Sequence, residues 1–464
     1  MTKSVFGDMI NEKLSPMLMY NVMLRDNYIM RVTKDRVRTW AGGEYIFPFE
    51  GGQASNFQSG GGLVPKSKLE TSTYVRGQID SHKEIHGAVI FYEKDLKQQG
   101  DNLRTPQDKY LKNLLGRELS RARDRFEFLF GFQCLNGGAL GNLTETSTQW
   151  TTARRTAGTM KVDRPDRFTI GQRVKVHGTK DTDNSGDVEA YVSKIDMNTK
   201  QLSLVTTHGG STASDLTGTD LTPATDNVVG VYLPGDEEGG GFTSFRSQVL
   251  PSANGGTANL FGKKKVDYPF LQSIVKNGMS ISTRAGFIST LYDLVTDLVM
   301  FGQPFSSADG FNASRDKGNK SIMMRHNQVI DCIMSLEWFG VAEKHFQSVR
   351  GDYFKQLGGK SKTSFYDSNG ILVNGPDGTI LRLIGVKGMG EGEVLVRGAD
   401  TTRFATLNYV QNYTSPDGNK FFVVRDDDDG YSWICDYRIY GDFIVKRPAG
   451  CAALHSLPAS KPTS

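Results

Sequence analysis

The sequence predicts an α+β fold built around a β-ribbon, on three observations. Two strand-like runs near the N-terminus flank a glycine-rich stretch, a long amphipathic helix pattern follows them, and the C-terminal region is a succession of strand patterns. At 464 residues the chain suits about three domains or one elaborated domain. Its 38% hydrophobic and 23% charged content is that of an ordinary globular protein, and 52 glycines against 15 prolines indicate many loops. A net charge of +4 is almost balanced at this length, so charge alone does not suggest sequence-specific DNA binding. No run reaches the roughly 20 apolar residues of a membrane span, and MTKSVFGDMINEKLSP lacks the basic-then-apolar plan of a signal peptide. The expectation is a soluble, cytoplasmic chain without membrane association. Cys134, Cys332, Cys435 and Cys451 lie far apart and form no CxxC pair, which predicts free buried thiols rather than a zinc ribbon or redox motif.

Taken in order, residues 1–41 read as an arm, with a helical opening at Met9, Ile10, Leu14, Met17 and Leu18. Residues 42–91 read as the ribbon: EYIFPF goes out, TYVRGQIDSHKEIHGAVIF comes back, and FEGGQASNFQSGGGLVPK forms the tip. A tight hairpin needs only one or two residues of positive φ, so this tip carries far more glycine than a turn requires. Ordering each glycine costs extra backbone entropy, and an isolated two-stranded ribbon is marginal in water. A partner outside the hairpin is therefore expected to order it. Residues 92–160 hold the long helix TPQDKYLKNLLGRELSRARDRFEFLFGF, with Thr105 as N-cap and Pro106 at the first helical position. Leu111, Leu115, Leu119, Ala122, Phe126 and Leu129 recur at helical spacing and give it a core face.

Residues 161–234 change character: RFTIGQRVKVHG, DVEAYVSKID, KQLSLVT and NVVGVYL alternate with polar turns, the pattern of a small inserted β-barrel. Residues 235–400 read as mixed α/β, with Thr283 capping a helix that carries Phe287, Leu291, Leu294, Val295 and Leu298 on one face. Leu336, Phe339, Phe346 and Val349 outline another helix. Residues 401–464 are β-rich, through KFFVVRD, GYSWICDYRIYG and DFIVKRP.

The sites of chemistry are expected to be empty of it. Asp181 to Gly186 resembles the opening of a calcium loop, but its twelfth position is Val192 where a bidentate glutamate is needed, so a polar turn is the better reading. Asp426 to Asp429 read as a solvated turn. Gly385 to Gly392 fits neither the P-loop spacing nor a GxGxxG that opens a helix, and reads as a loop before the strand EVLV. His82 and His86 have no third ligand, and no GxSxG, HExxH or Cys-His-Asn arrangement is present. No catalytic residue, metal or cofactor is expected, and the chain reads as a non-enzyme.

In this order the arm, the glycine-tipped ribbon, the helix KYLKNLLGRELSRARDRFEFLFG, the α/β middle and the close DYRIYGDFIVKRPAGCAALHSL resemble the major capsid protein of tailed bacteriophages, the Hong Kong 97-type fold. The resemblance is one of plan over nearly the whole chain. It implies that 42–91 is the extended loop and that 92–160 is a peripheral domain with the long helix as its spine. Residues 235–400 would be the axial domain around fivefold and sixfold axes, and 401–464 strands returning to the peripheral domain. It further implies intersubunit contacts by Phe49, Gly51, Gly52, Phe57, Gly60, Gly61, Gly62, Leu63, Lys66 and Lys68, and a spine core face of Leu111, Leu115, Leu119, Phe126 and Leu129.

The implied function is an icosahedral head shell of pentamers and hexamers, assembled in the host cytoplasm, that encloses double-stranded DNA without reading its sequence. The implied partners are copies of the chain, a scaffolding protein, a portal and, where present, decoration proteins. The barrel at 161–234 departs from the minimal plan as an insertion. No long charged helix precedes the ribbon, which leaves scaffolding to a separate protein, and no Asn or Glu is matched to Lys66 or Lys68 for the family's crosslink. The alternatives are an encapsulin-like compartment shell, and a non-enzymatic binding protein that uses the barrel; few aromatics alternate with basic residues in its strands, which disfavours base stacking.

Overall fold

The computed structural model describes residues 38–40, 45–50, 74–79, 83–92, 121, 124–179, 186–218, 221–224, 227–236, 241–302, 329–349, 366–367, 370–376, 379–390, 392–398, 401–407, 422–426 and 430–462. They fall into two compact units: Gly137–Phe242, and a first unit made of Met1–Asn136 with Thr243–Ser464. The first unit opens with strands β1 (Arg38–Trp40), β2 (Tyr45–Glu50), β3 (Tyr74–Ile79) and β4 (Lys83–Tyr92), then helix α1 over 124–135. The second unit holds β5 (Gly141–Asn142), α2 (Thr152–Thr156), β6 (Thr159–Lys161), β7 (Arg173–Gly178), β8 (Val188–Asp196), β9 (Gln201–Val205) and β10 (Val229–Tyr232). The chain returns to the first unit through α3 (Phe245–Val249), β11 (Asn259–Leu260), β12 (Lys263–Lys264), β13 (Ile274–Asn277), α4 (Arg284–Phe301), β14 (Val329–Ser335) and α5 (Leu336–Val349). It ends with β15 (Tyr366–Asp367), β16 (Gly370–Asn374), β17 (Ile380–Val386), β18 (Val394–Arg397), β19 (Thr402–Leu407), β20 (Phe422–Asp426), β21 (Gly430–Val445) and β22 (Cys451–His455).

The main core of the first unit lies between a mixed seven-stranded sheet, ordered β13-β22-β18-β14-β17-β16-β15, and helices α4 and α5. Thr283 caps α4 as its sequence predicts, its Oγ1 accepting the Gly286 N–H at 3.0 Å. Phe287, Ile288, Leu291, Leu294, Val295 and Leu298 form one buried stripe. Helix α5 buries Trp338, Val341, Ala342 and Phe346, whereas Leu336 is 52% exposed. Of the expected face Leu336, Phe339, Phe346 and Val349, Phe346 is core and Phe339 packs against it, Leu336 departs, and the Val349 side chain lies outside the description. Trp338 sets the phase, because its ring packs on Phe287 at 4.7 Å between centroids and buries far more area than Leu336 could. Ile330, Cys332 and Met334 of β14 join this core, while Asp331 is 1% exposed and bridges Arg382 Nε (2.7 Å) and Arg397 Nη1 (2.5 Å). Arg397 Nε also donates to Thr402 Oγ1 at 2.8 Å, so the buried charges satisfy one another.

A second sheet is organised by the sixteen-residue β21, which pairs with β4 from Gly441↔Lys83 to Ser432↔Tyr92, with β19 and with β20. β1 lies parallel to β19. The return run expected to pair along one long ribbon therefore divides. β3 pairs with β2, and β4 pairs with β21 instead. β2 supplies only six residues, so the backbone groups of Lys83–Tyr92 need another ladder, and β21 provides it. β22 does not join β21 but sits between β13 and β18 in the seven-stranded sheet, where its buried CAALH run suits a strand covered on both faces.

The second unit is an antiparallel sheet, β5-β10-β7-β8-β9-β6. Its ends meet: Leu143 bridges Val162, and the Asp163 N–H donates to the Asn142 carbonyl at 3.0 Å. This closes the sheet and removes its free edges. Val174, Val176, Ala190, Val192, Leu202, Leu204 and Val231 alternate into its interior. The segment 161–234 lies within this unit, which also draws β5 and β6 from earlier in the chain.

Candidate functional site

The site the sequence points to is the ribbon, and its described part is the base formed by β2 and β3. Six pairs hold it, from Tyr45↔Ile79 to Glu50↔Tyr74. Alternation places Tyr45, Phe47 and Phe49 on one face. Phe47 lies edge-on to Phe49 at 5.0 Å and stacks on Tyr45 at 5.9 Å. Gly77, opposite Phe47, leaves room for these rings: a Cβ there would lie 2.7 Å from Phe49 and 2.8 Å from Phe47. The aromatic face rests on Leu260, Leu271 and Ile444, with Phe261, Tyr268 and Phe270 around them. The opposite face is open, with Ile46 48% exposed and Pro48 and Arg76 exposed.

The pad under the ribbon is itself fixed. Lys265 is buried, and its Nζ donates to the Leu250 carbonyl at 2.8 Å, closing the C-terminal end of α3. Burial lowers the Lys265 pKa to about 8. Where β4 begins, Asp442 of β21 accepts the Thr243 N–H (2.6 Å), the Thr243 hydroxyl (2.7 Å) and the Phe443 N–H (2.8 Å). Lys83 Nζ donates to Thr243 Oγ1 at 3.3 Å. Burial nevertheless raises the Asp442 pKa above the ordinary carboxylate value, against the opposing pull of Lys83 and these hydrogen bonds. Gln248 ties α3 to β21, donating to the Phe443 carbonyl at 2.7 Å and accepting the Val445 N–H at 2.9 Å.

Of the residues expected to touch a neighbour, Phe49 is 0% exposed within its own chain, where the Gly77 gap and the Phe47 and Phe261 rings enclose it. Gly51, Gly52, Phe57, Gly60, Gly61, Gly62, Leu63, Lys66 and Lys68 lie outside the described residues, as do Leu111, Leu115 and Leu119. On α1, Phe126 is buried and Leu129 half-buried, and the buried face continues through Phe130, Phe132, Cys134 and Leu135.

The glycine run at 385–392 has a packing role that its spacing did not reveal. Gly388 (φ 82) lies under the Phe128 ring of α1, where a Cβ would come within 2.7 Å, and the Asn136 side-chain amide donates to its carbonyl at 3.2 Å. Arg125 and Lys387 flank the same ring, 5.0 and 5.7 Å from its centroid. In the second unit Asp187, just past the calcium-like stretch, is held by Lys175 and His177, each at 2.7 Å, and Val192 is a core residue. Asp181–Ser185, Asp427–Asp429 and His82 lie outside the described residues. Cys134, Cys332 and Cys451 are buried free thiols. Among the described residues no cluster of three metal-ligating side chains occurs, and no helix is long and apolar enough to cross a membrane.

No protein-family model matches the chain, and no curated protein matches it. Among solved structures it is similar to the capsid asymmetric unit of cyanophage A-1(L), at 9% identity over 95% of both chains with a TM-score of 0.46. It is also similar to the procapsid of satellite phage P4 including size determination (Sid) protein, at 10% identity over 100% of both chains with a TM-score of 0.37. A third is the capsid of the native GTA particle computed with C5 symmetry, at 10% identity over 94% of this chain and 92% of that one, TM-score 0.38.

Proposed function

We propose that the chain is a shell subunit, the major capsid protein of a tailed phage, which assembles as pentamers and hexamers into an icosahedral head around double-stranded DNA. The ribbon carries this reading. Its paired base, Tyr45–Glu50 with Tyr74–Ile79, is anchored on its own subunit by an aromatic cluster, and the sequence between the two strands, 51–73, holds five glycines, whose entropic cost of ordering a bound neighbour would offset. A neighbouring copy is the partner that symmetry supplies to every subunit at once. Many modest contacts then sum to a stable shell without disulfides, in keeping with the buried free thiols. A net charge of +4 suits a wall that encloses a polyanion without gripping it. Scaffolding, portal and decoration proteins are the further partners of this reading, and the chain's role is structural rather than enzymatic.

The test is to express the protein alone and with a candidate scaffold and to examine it by sizing and electron microscopy. Closed shells or capsomer rings are expected; a persistent 51.2 kDa monomer with saturable ligand binding would sink the proposal in favour of a binding protein. Deleting residues 51–62 should leave a folded subunit that assembles poorly. Normal, fully stable shells from that deletion would remove the bridging role of the ribbon.

A further inference from the structure

The hairpin β11–β12 turns through Phe261 (φ 44) and Gly262 (φ 80), with Leu260 paired to Lys263. Two successive positive φ values are what a type I′ turn demands, and Asn-Gly or Asp-Gly meets that demand with least steric conflict. A phenylalanine in the first position lies where bulky residues are outliers. The turn by itself gives no reason for it. Its surroundings do: the Phe261 ring lies edge-on to Phe47 at 5.2 Å and 6.3 Å from Phe49, both on β2. Its carbonyl accepts the Gln78 N–H of β3 at 3.4 Å. One residue thus engages both strands of the ribbon, by ring on one and by backbone on the other. The hairpin beneath it is fixed by the Lys265 N–H on the Ala258 carbonyl (2.9 Å) and Lys265 Nζ on Leu250.

We propose that Phe261 is the positioning residue of the ribbon, a wedge held in an unfavourable backbone conformation so that its ring seats β2 and its carbonyl seats β3. It sets where β2 and β3 lie on the subunit, and so how well the subunit joins a shell. Only that last consequence rests on the shell reading.

The experiment compares Phe261→Asn, which creates the favoured Asn-Gly turn, with Phe261→Tyr, which keeps the ring. Hydrogen exchange is followed on the unassembled full-length subunit, and shell yield by electron microscopy. In Phe261→Asn the amides of 45–50 and 74–79 should exchange at least about tenfold faster while those of β14 and β17 stay as in the wild type, and shell yield should fall. Phe261→Tyr should behave as wild type in both respects. Unchanged ribbon exchange in Phe261→Asn overturns the proposal, and so does a uniform rise across all sheets, which would make Phe261 an ordinary core residue. A wild-type chain that forms no shells defeats the shell reading alone, since the exchange readout does not depend on assembly.

Discussion

Gly77 shows how much of the ribbon depends on an atom that is missing. Two rings, Phe47 and Phe49, lie over its bare backbone, an aromatic cover for a strand glycine, and a side chain there would meet both within 2.8 Å. Gly77→Val should therefore cost about 1–3 kcal/mol through overpacking, with faster exchange concentrated at 45–50 and 74–79. Ribbon exchange equal to wild type in that variant would contradict the packing. Asp442 poses a second question, that of charge. Its folded pKa stands above the ordinary 3.8, so the folded state holds the proton more tightly than the unfolded chain does. That contribution to stability is present at acid pH and is lost as pH rises through the raised folded value. Asp442→Asn keeps an acceptor for the Thr243 N–H and cannot ionise. Its stability relative to wild type should improve as pH increases from about 4 toward neutral in thermal unfolding; a relative stability that is flat or falls with pH would refute the assignment.

At the scale of elements, α4 was readable from the sequence because its determinants are local. Thr283 caps it and Phe287, Leu291, Leu294, Val295 and Leu298 repeat at helical spacing, so cap and stripe agree. Thr283→Ala is expected to cost about 1 kcal/mol, measured as a lower unfolding midpoint without loss of the fold. An unchanged midpoint would mean the cap is not needed where packing already fixes the helix. What was not readable is nonlocal. The run after Tyr74 looks like one strand, and nothing in it tells that Lys83 onward pairs with residues beyond Gly430. Strands as short as Gly141–Asn142 and Thr159–Lys161 carry no period at all. Phe261-Gly262 lacks the usual Asn or Asp of its turn, and Gly388 reads as loop until the Phe128 ring is seen above it. In each case the deciding partner lies far away in sequence, as it does for the α5 stripe, whose phase follows from where Phe287 places Trp338.

For the whole molecule, the question is whether Gly137–Phe242 folds on its own core or borrows one. Among the described residues its sheet closes on itself through the Leu143 bridge to Val162, which joins its two end strands. Several polar side chains also find partners within it: Glu145 pairs with Arg154 and accepts the Lys161 N–H at 3.0 Å, Trp150 Nε1 donates to the Thr159 carbonyl at 2.7 Å, and Arg167 Nη1 donates to the Leu140 carbonyl at 3.1 Å. A unit of about 100 residues with a continuous apolar interior is in the size range of independent domains. The expressed fragment 137–242 should accordingly be soluble, show the circular dichroism of an antiparallel β protein and unfold in a single cooperative transition. A fragment that is unfolded, or that melts without cooperativity, would show that its closed sheet depends on the rest of the chain, and the unit would then have to be treated as part of the first one rather than as an insertion into it.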